Sequence, residues 1–156
     1  MLLKIRGLVG CCLLLLTPLA LASPAYHLQV VTRDQQVLLS LPLNEQESWC
    51  LVWNHSVAGF AVEDCFIVEA GQWLLDSSHQ PDFAAGLGHT LGRGKQISDG
   101  QGGYFIKDMA VKISGNQMLL RVGSLAVNHR FAYRQTTLSL SELAAGQRVT
   151  LKLLRN

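Results

Sequence analysis

From Tyr26 onward the apolar residues alternate with polar ones or gather in runs of five to nine bounded by turn formers, and hardly any stretch keeps a 3.6-residue period. Such a chain builds strands. His27 to Thr32 and Gln36 to Leu41 flank the turn Arg33-Asp34-Gln35. Trp49, Leu51, Trp53 and His55 share one face of the next strand, with Cys50, Val52 and Asn54 on the other. Further strands are expected at Ala61 to Glu69, Gln72 to Asp76, Met109 to Ile113, Met118 to Gly123, His129 to Arg134, Thr136 to Leu140 and Arg148 to Leu154. Ser114-Gly115-Asn116-Gln117 reads as a hairpin turn, and Ser141 to Gly146 as one helical turn closed by glycine.

About ten short strands predict a single all-β domain over residues 23–156, either an antiparallel sandwich or a partly open barrel, because so many strands cannot keep both faces wet. Its expected core is Trp49, Leu51, Trp53, Phe66, Val68, Val111, Ile113, Leu120, Val122, Phe131 and Leu151. Gln80 to Gly103, with seven glycines, reads as a long loop, either functional or simply flexible.

Residues 1–22 differ from the rest. Lys4 and Arg6 precede an apolar run from Leu8 to Leu16, Pro18 interrupts it, and Ala20-Leu21-Ala22 supplies the small residues of a cleavage site. This predicts a signal peptide and a periplasmic or otherwise extracytoplasmic protein. An uncleaved anchor is the alternative, but the stretch falls short of the roughly 20 apolar residues that span a bilayer. Leu8-Val9-Gly10-Cys11 imitates a lipoprotein box without the apolar segment that should precede it. Once Lys4 and Arg6 are set aside, eleven basic residues face eleven acidic ones. A neutral chain offers no net field for nucleic acid, and no stable membrane insertion is expected after cleavage.

Removing the signal also removes Cys11 and Cys12 and leaves Cys50 and Cys65 as a pair in an oxidising compartment. A tight turn at Val57-Ala58-Gly59 would set position 50 opposite position 65 and permit a disulfide; two reduced cysteines buried as small apolar residues are the alternative.

Motifs for chemistry are sparse. Gly86 to Gly92 departs from the dinucleotide fingerprint in the place of its third glycine and lacks the flanking strand and helix, and Gly94-Lys95-Gln96 lacks the rest of a P-loop. The histidines at 27, 55, 79, 89 and 129 show no metal-ligand spacing, so neither metal nor cofactor is expected. His55-Ser56 puts a base beside a hydroxyl, but strand neighbours point to opposite faces. Asn54-His55-Ser56 matches a glycosylation sequon inside an expected buried strand.

The order of Trp53-Asn54-His55-Ser56-Val57, Asp64-Cys65-Phe66, Phe83-Ala84-Ala85-Gly86-Leu87, Leu120-Arg121-Val122-Gly123, His129 and Leu138-Ser139-Leu140-Ser141-Glu142-Leu143 resembles domain of unknown function family 1850, from about Val37 to Leu154. The resemblance implies a small extracytoplasmic bacterial protein encoded beside a TAXI-type tripartite ATP-independent periplasmic (TRAP) transporter, with no established activity. Where the family often has Glu-Lys and a proline after His-Ser-Val, this chain has Ala58, Gly59 and Ala61, with Asp64 at the acidic place. Where the family often reads Ser-Phe-Gly-Ala-Gly, this chain reads Asp82-Phe83-Ala84-Ala85-Gly86.

Three functions compete. The first is a non-catalytic transporter accessory that binds the receptor, the permease or the solute. The second is a metal-dependent or other periplasmic hydrolase using His55, His129 and Asp64. The third is a structural envelope protein. The candidate binding site joins His55, Ser56, Asp64, Arg121 and His129 near the glycine loop with Phe83, Gly86 and Gly88, as a mixed-charge pocket for a carboxylate-bearing solute or an acidic partner loop. The alternative has His55 and His129 capping strand ends and Arg121 bridged to Asp64. Mass spectrometry of the envelope fraction is expected to find Ser23 as the first residue; a chain beginning at Met1 in the cytoplasm would refute the signal.

Overall fold

The computed structural model describes residues 23–82 and 91–156. The expected signal peptide, residues 1–22, lies outside the described residues. Among the described residues, twelve strands form two antiparallel sheets that are not closed into a barrel, so the architecture is the sandwich. The smaller sheet has the order β2 (Val37–Leu43), β1 (Tyr26–Thr32), β12 (Arg148–Arg155), β9 (Gln117–Arg121). The larger runs β11 (Thr136–Ser139), β10 (Arg130–Tyr133), β3 (Trp49–Asn54), β4 (Ala61–Glu69), β5 (Gln72–Gln80), β7 (Tyr104–Lys107), β6 (Lys95–Ser98), with β8 (Val111–Lys112) also on β5.

The alternation seen in the sequence decides the facing. Leu28, Val30, Leu41, Leu43, Val149 and Leu151 turn inward from the smaller sheet and meet Trp49, Leu51, Phe66, Val68, Trp73 and Phe131 from the larger. Val122 and the expected helical turn, α1 (Leu140–Ala144), close one end, with Ser139 as N-cap accepting from Glu142 N. Trp53, Ile113 and Leu120 are only half-buried, and Val111 falls outside the core because it sits on the short β8.

Three expectations are corrected. Ser114 to Gln117 is not a hairpin turn: Ser114–Asn116 is a 3-10 turn that carries the chain from β8 in the larger sheet to β9 in the smaller. Asn116 is held by Gln72, Trp73 and Gly71, contacts far away in sequence. The Gln80 to Gly103 segment is not one long loop, since β6 lies within it and pairs with β7 as a hairpin. Lastly, β5 does not stop at Asp76. Cys65 faces Ser77 while Phe66 faces Leu75, so Asp76 is an extra residue. This bulge resets the alternation, placing Trp73 and Leu75 before it and Ser78 and Gln80 after it on the inner side.

Cys50 and Cys65 are register partners on the outer face of the larger sheet and form the expected disulfide. It closes a 15-residue separation around the turn after β3. Replacing both cysteines with Ala is expected to lower the unfolding free energy by about 3 kcal/mol with the sheet retained, since the strand pairing survives. Urea denaturation followed by far-UV circular dichroism measures this; an unchanged midpoint would contradict it.

Candidate functional site

A pocket of about 200 Å³ opens between the sheets, lined by Leu51, Trp53, Asp64, Phe66, Met118, Leu120 and His129. Each sheet supplies a wall by its own alternation. Leu51 and Trp53 project from β3 and Asp64 and Phe66 from β4, while Met118 and Leu120 face them from β9. Asp64 stands where Val62, Phe66 and Val68 on the same face are apolar. Its burial raises the carboxyl above its ordinary pKa, against a smaller opposing pull from the Ser78 hydroxyl on the neighbouring strand.

His129 sits just before β10 at the pocket edge, its ring centroid 6.1 Å from that of Trp53. Nδ1 accepts from Gly123 N at 2.8 Å, which leaves the proton of the neutral ring on Nε2. Burial lowers its pKa, so the ring is neutral at pH 7. Its backbone is also fixed: N donates to Ser141 Oγ at 2.9 Å, and that hydroxyl donates to Gly123 O at 3.0 Å. A methyl at Gly123 would stand 2.6 Å from Val127 Cβ and 3.1 Å from His129 Nδ1, so only glycine lets the chain pass this close.

The remaining candidates lie elsewhere. His55 follows β3, stacks on Phe60 at 5.2 Å and accepts from Ala58 N at 3.1 Å, capping its own turn. Ser56 is exposed on that turn. The Asn54 amide of the sequon donates to Ala126 O and accepts from Arg130. Arg121 faces outward at the end of β9, opposite Arg148, so the bridge to Asp64 is not formed. Phe83, Gly86 and Gly88 lie outside the described residues.

Sequence reading missed a second histidine pair. His79 Nε2 lies 3.0 Å from Asp99 Oδ2, its ring stacks on Phe105 at 4.2 Å, and Asp99 Oδ1 accepts from Gln101 N and Gly103 N. His79 holds the Asp99 carboxyl below its ordinary pKa, helped by those amides. The residues are brought together only by the β5–β7–β6 pairing, and no local motif announces them. Among the described residues, the cluster with metal-ligand spacing is Cys50, Glu63 and Cys65, but its sulfurs are joined in the disulfide.

The family model described as domain of unknown function (DUF1850) matches residues 50–140. This chain belongs to that family. The DUF1850 match runs from β3 to the start of α1 and contains Asp64, His129 and all of the pocket lining; β1, β2 and β12 lie outside it. No curated protein and no solved structure matches the chain.

The two pKa directions give opposite pH signatures. Asp64 is raised in the folded state, so its contribution is intact below about pH 3.8 and lost as pH rises through the folded value. Asp64→Asn is therefore expected to gain melting temperature relative to the native chain as pH rises from acid to neutral. His129 is lowered, so its contribution is intact above pH 6.5 and lost as pH falls through the folded value; His129→Gln should lack that step. Parallel thermal melts over this range decide, and a constant offset between variant and native chain would refute either assignment.

Proposed function

We propose that this chain is a non-catalytic, extracytoplasmic binding module of a TAXI-type TRAP transporter system, and that the pocket between the sheets holds a small solute or the apolar part of one. The family resemblance supports the transporter association; the disulfide fits an oxidising compartment. No described helix is long and apolar enough to cross a membrane.

The observation that carries the binding role is the composition of the pocket. Five of its lining side chains are apolar, and the two polar ones, Asp64 and His129, leave groups for a ligand. Nε2–H of His129 is a donor, since Nδ1 is already engaged. The Asp64 carboxylate is an acceptor whose cost of burial falls when a ligand donates to it. The ligand chemistry that fits is a short apolar skeleton with one hydrogen-bond donor and one acceptor and no net charge, such as a simple amide or a hydroxy amide. With Arg121 on the outer face, no arginine among the described residues lines this pocket to anchor a carboxylate. Hydrolysis finds less support, because His55 caps its turn while His129 lines the pocket, and the two histidines do not share a site.

Titration of the mature chain with a panel of short-chain amides and hydroxy amides, followed by amide and indole NMR shifts, tests this. A binding member should move the Trp53 indole and Gly123 amide signals, and Asp64→Asn should weaken it by about tenfold, the order expected for a hydrogen bond to a charged group. A panel that leaves these signals unmoved, or binds the variant equally, would refute the pocket's role.

A further inference from the structure

The outer face of the smaller sheet carries a charge pattern that the neutral composition conceals. Arg121, Arg148 and Lys152 project from it, and its four strands contain no Asp or Glu. Arg148 and Arg121 are direct register partners on β12 and β9, an arrangement in which like charges repel. Beside them lies an open groove of about 420 Å³, lined by Thr32, Arg33, Gln35, Leu119, Arg148 and Thr150. Lys152 Nζ donates to Gln35 Oε1 at 3.0 Å, which ties the turn carrying Arg33 to β12. Asp34 is exposed on the same turn but does not line the groove. Glu47, Asp99 and Asp108 pair with Arg134, His79 and Lys95. Among the described residues, no carboxylate pairs with the three arginines around the groove.

We propose that this groove is the docking site for an acidic segment of a partner protein. The arginines are solvent-exposed, so each alone holds a single anion weakly, and binding needs several carboxylates presented together. Leu119, 70% exposed in the groove lining, adds an apolar contact that a simple ion would leave unused. The fitting segment is extended and alternates acidic with apolar side chains, the acids meeting Arg33, Arg121 and Arg148 and an apolar residue covering Leu119. The site lies on the face of the sheet opposite Met118 and Leu120, so it stands or falls independently of the solute pocket.

The test uses the full mature chain and a fluorescent peptide alternating Glu and Leu, with a Gln-Leu peptide as its neutral counterpart. The Glu peptide should bind, more weakly as salt rises, and the double variant Arg121→Gln/Arg148→Gln should lose about tenfold or more in affinity. The melting temperature of that variant should be unchanged or higher, because the cross-strand repulsion is relieved. Equal binding by the double variant, or of the Gln-Leu peptide, overturns the proposal. So does sedimentation with phosphatidylglycerol vesicles without peptide binding, which would make the face a lipid surface. Asp64→Asn should bind the peptide as the native chain does; a loss there would move the peptide into the solute pocket and overturn the docking site.

Discussion

A row of aromatic rings across the inner face of the larger sheet is the feature on which the rest of the molecule rests. Trp49 on β3 lies within it, with Phe66 on β4 at 4.6 Å, Phe131 on β10 at 5.4 Å and Trp73 on β5 at 5.6 Å. All four are almost wholly buried against the leucines and valines of the smaller sheet. Neither indole N–H has a hydrogen-bond partner, an omission that costs about 1–3 kcal/mol each. Burial of an aromatic side chain of this size stabilises by roughly 4–6 kcal/mol, so the apolar term wins. The row fixes the separation of the sheets and the inward face of every strand that bears a ring.

The pocket follows from where that row ends. Beyond Phe66 and Leu51 the facing strand is β9, the last of the smaller sheet, and its Met118 and Leu120 are only half-buried. The apolar filling thins there, and Asp64 and His129 occupy the margin. His129 is at once a lining residue and part of the junction with Gly123 and Ser141 that joins the end of β9 to the start of β10 and to α1. A ligand contacting Nε2 thus touches the group that ties the two sheets together.

Each face of the smaller sheet has its own physics. Inward, it is a continuous apolar wall; outward, it concentrates cations that the larger sheet and its turns balance with acids elsewhere. Net charge near zero therefore excludes a global field but says nothing about local segregation, which strand parity decides. Arg121 shows the difference. In sequence it stands two residues from Gly123 and eight from His129, yet parity sends it to the opposite side of the sheet from the pocket.

Local periodicity and turn chemistry made the strand class legible, together with β1 through β4, β10 to β12 and the turn that sets Cys50 against Cys65, because each depends on neighbours within a few residues. Asp64 and His129 were legible as candidate site residues that an antiparallel sheet could join; the strand order that sets both in one pocket, apart from His55 and Arg121, was not. What the sequence left open depended on distant contacts. The bulge at Asp76 broke the alternation that would have extended β5, and β6 and β7 are short strands among glycines whose pairing is set by β5. The turn at Ser114–Asn116 looked like a hairpin, but the Asn116 side chain bonds to Gln72, Trp73 and Gly71, and its strands join different sheets. Strand type is set by the chain's own alternation; strand partners, and hence which side chains share a site, are set by which faces the aromatic row can bury.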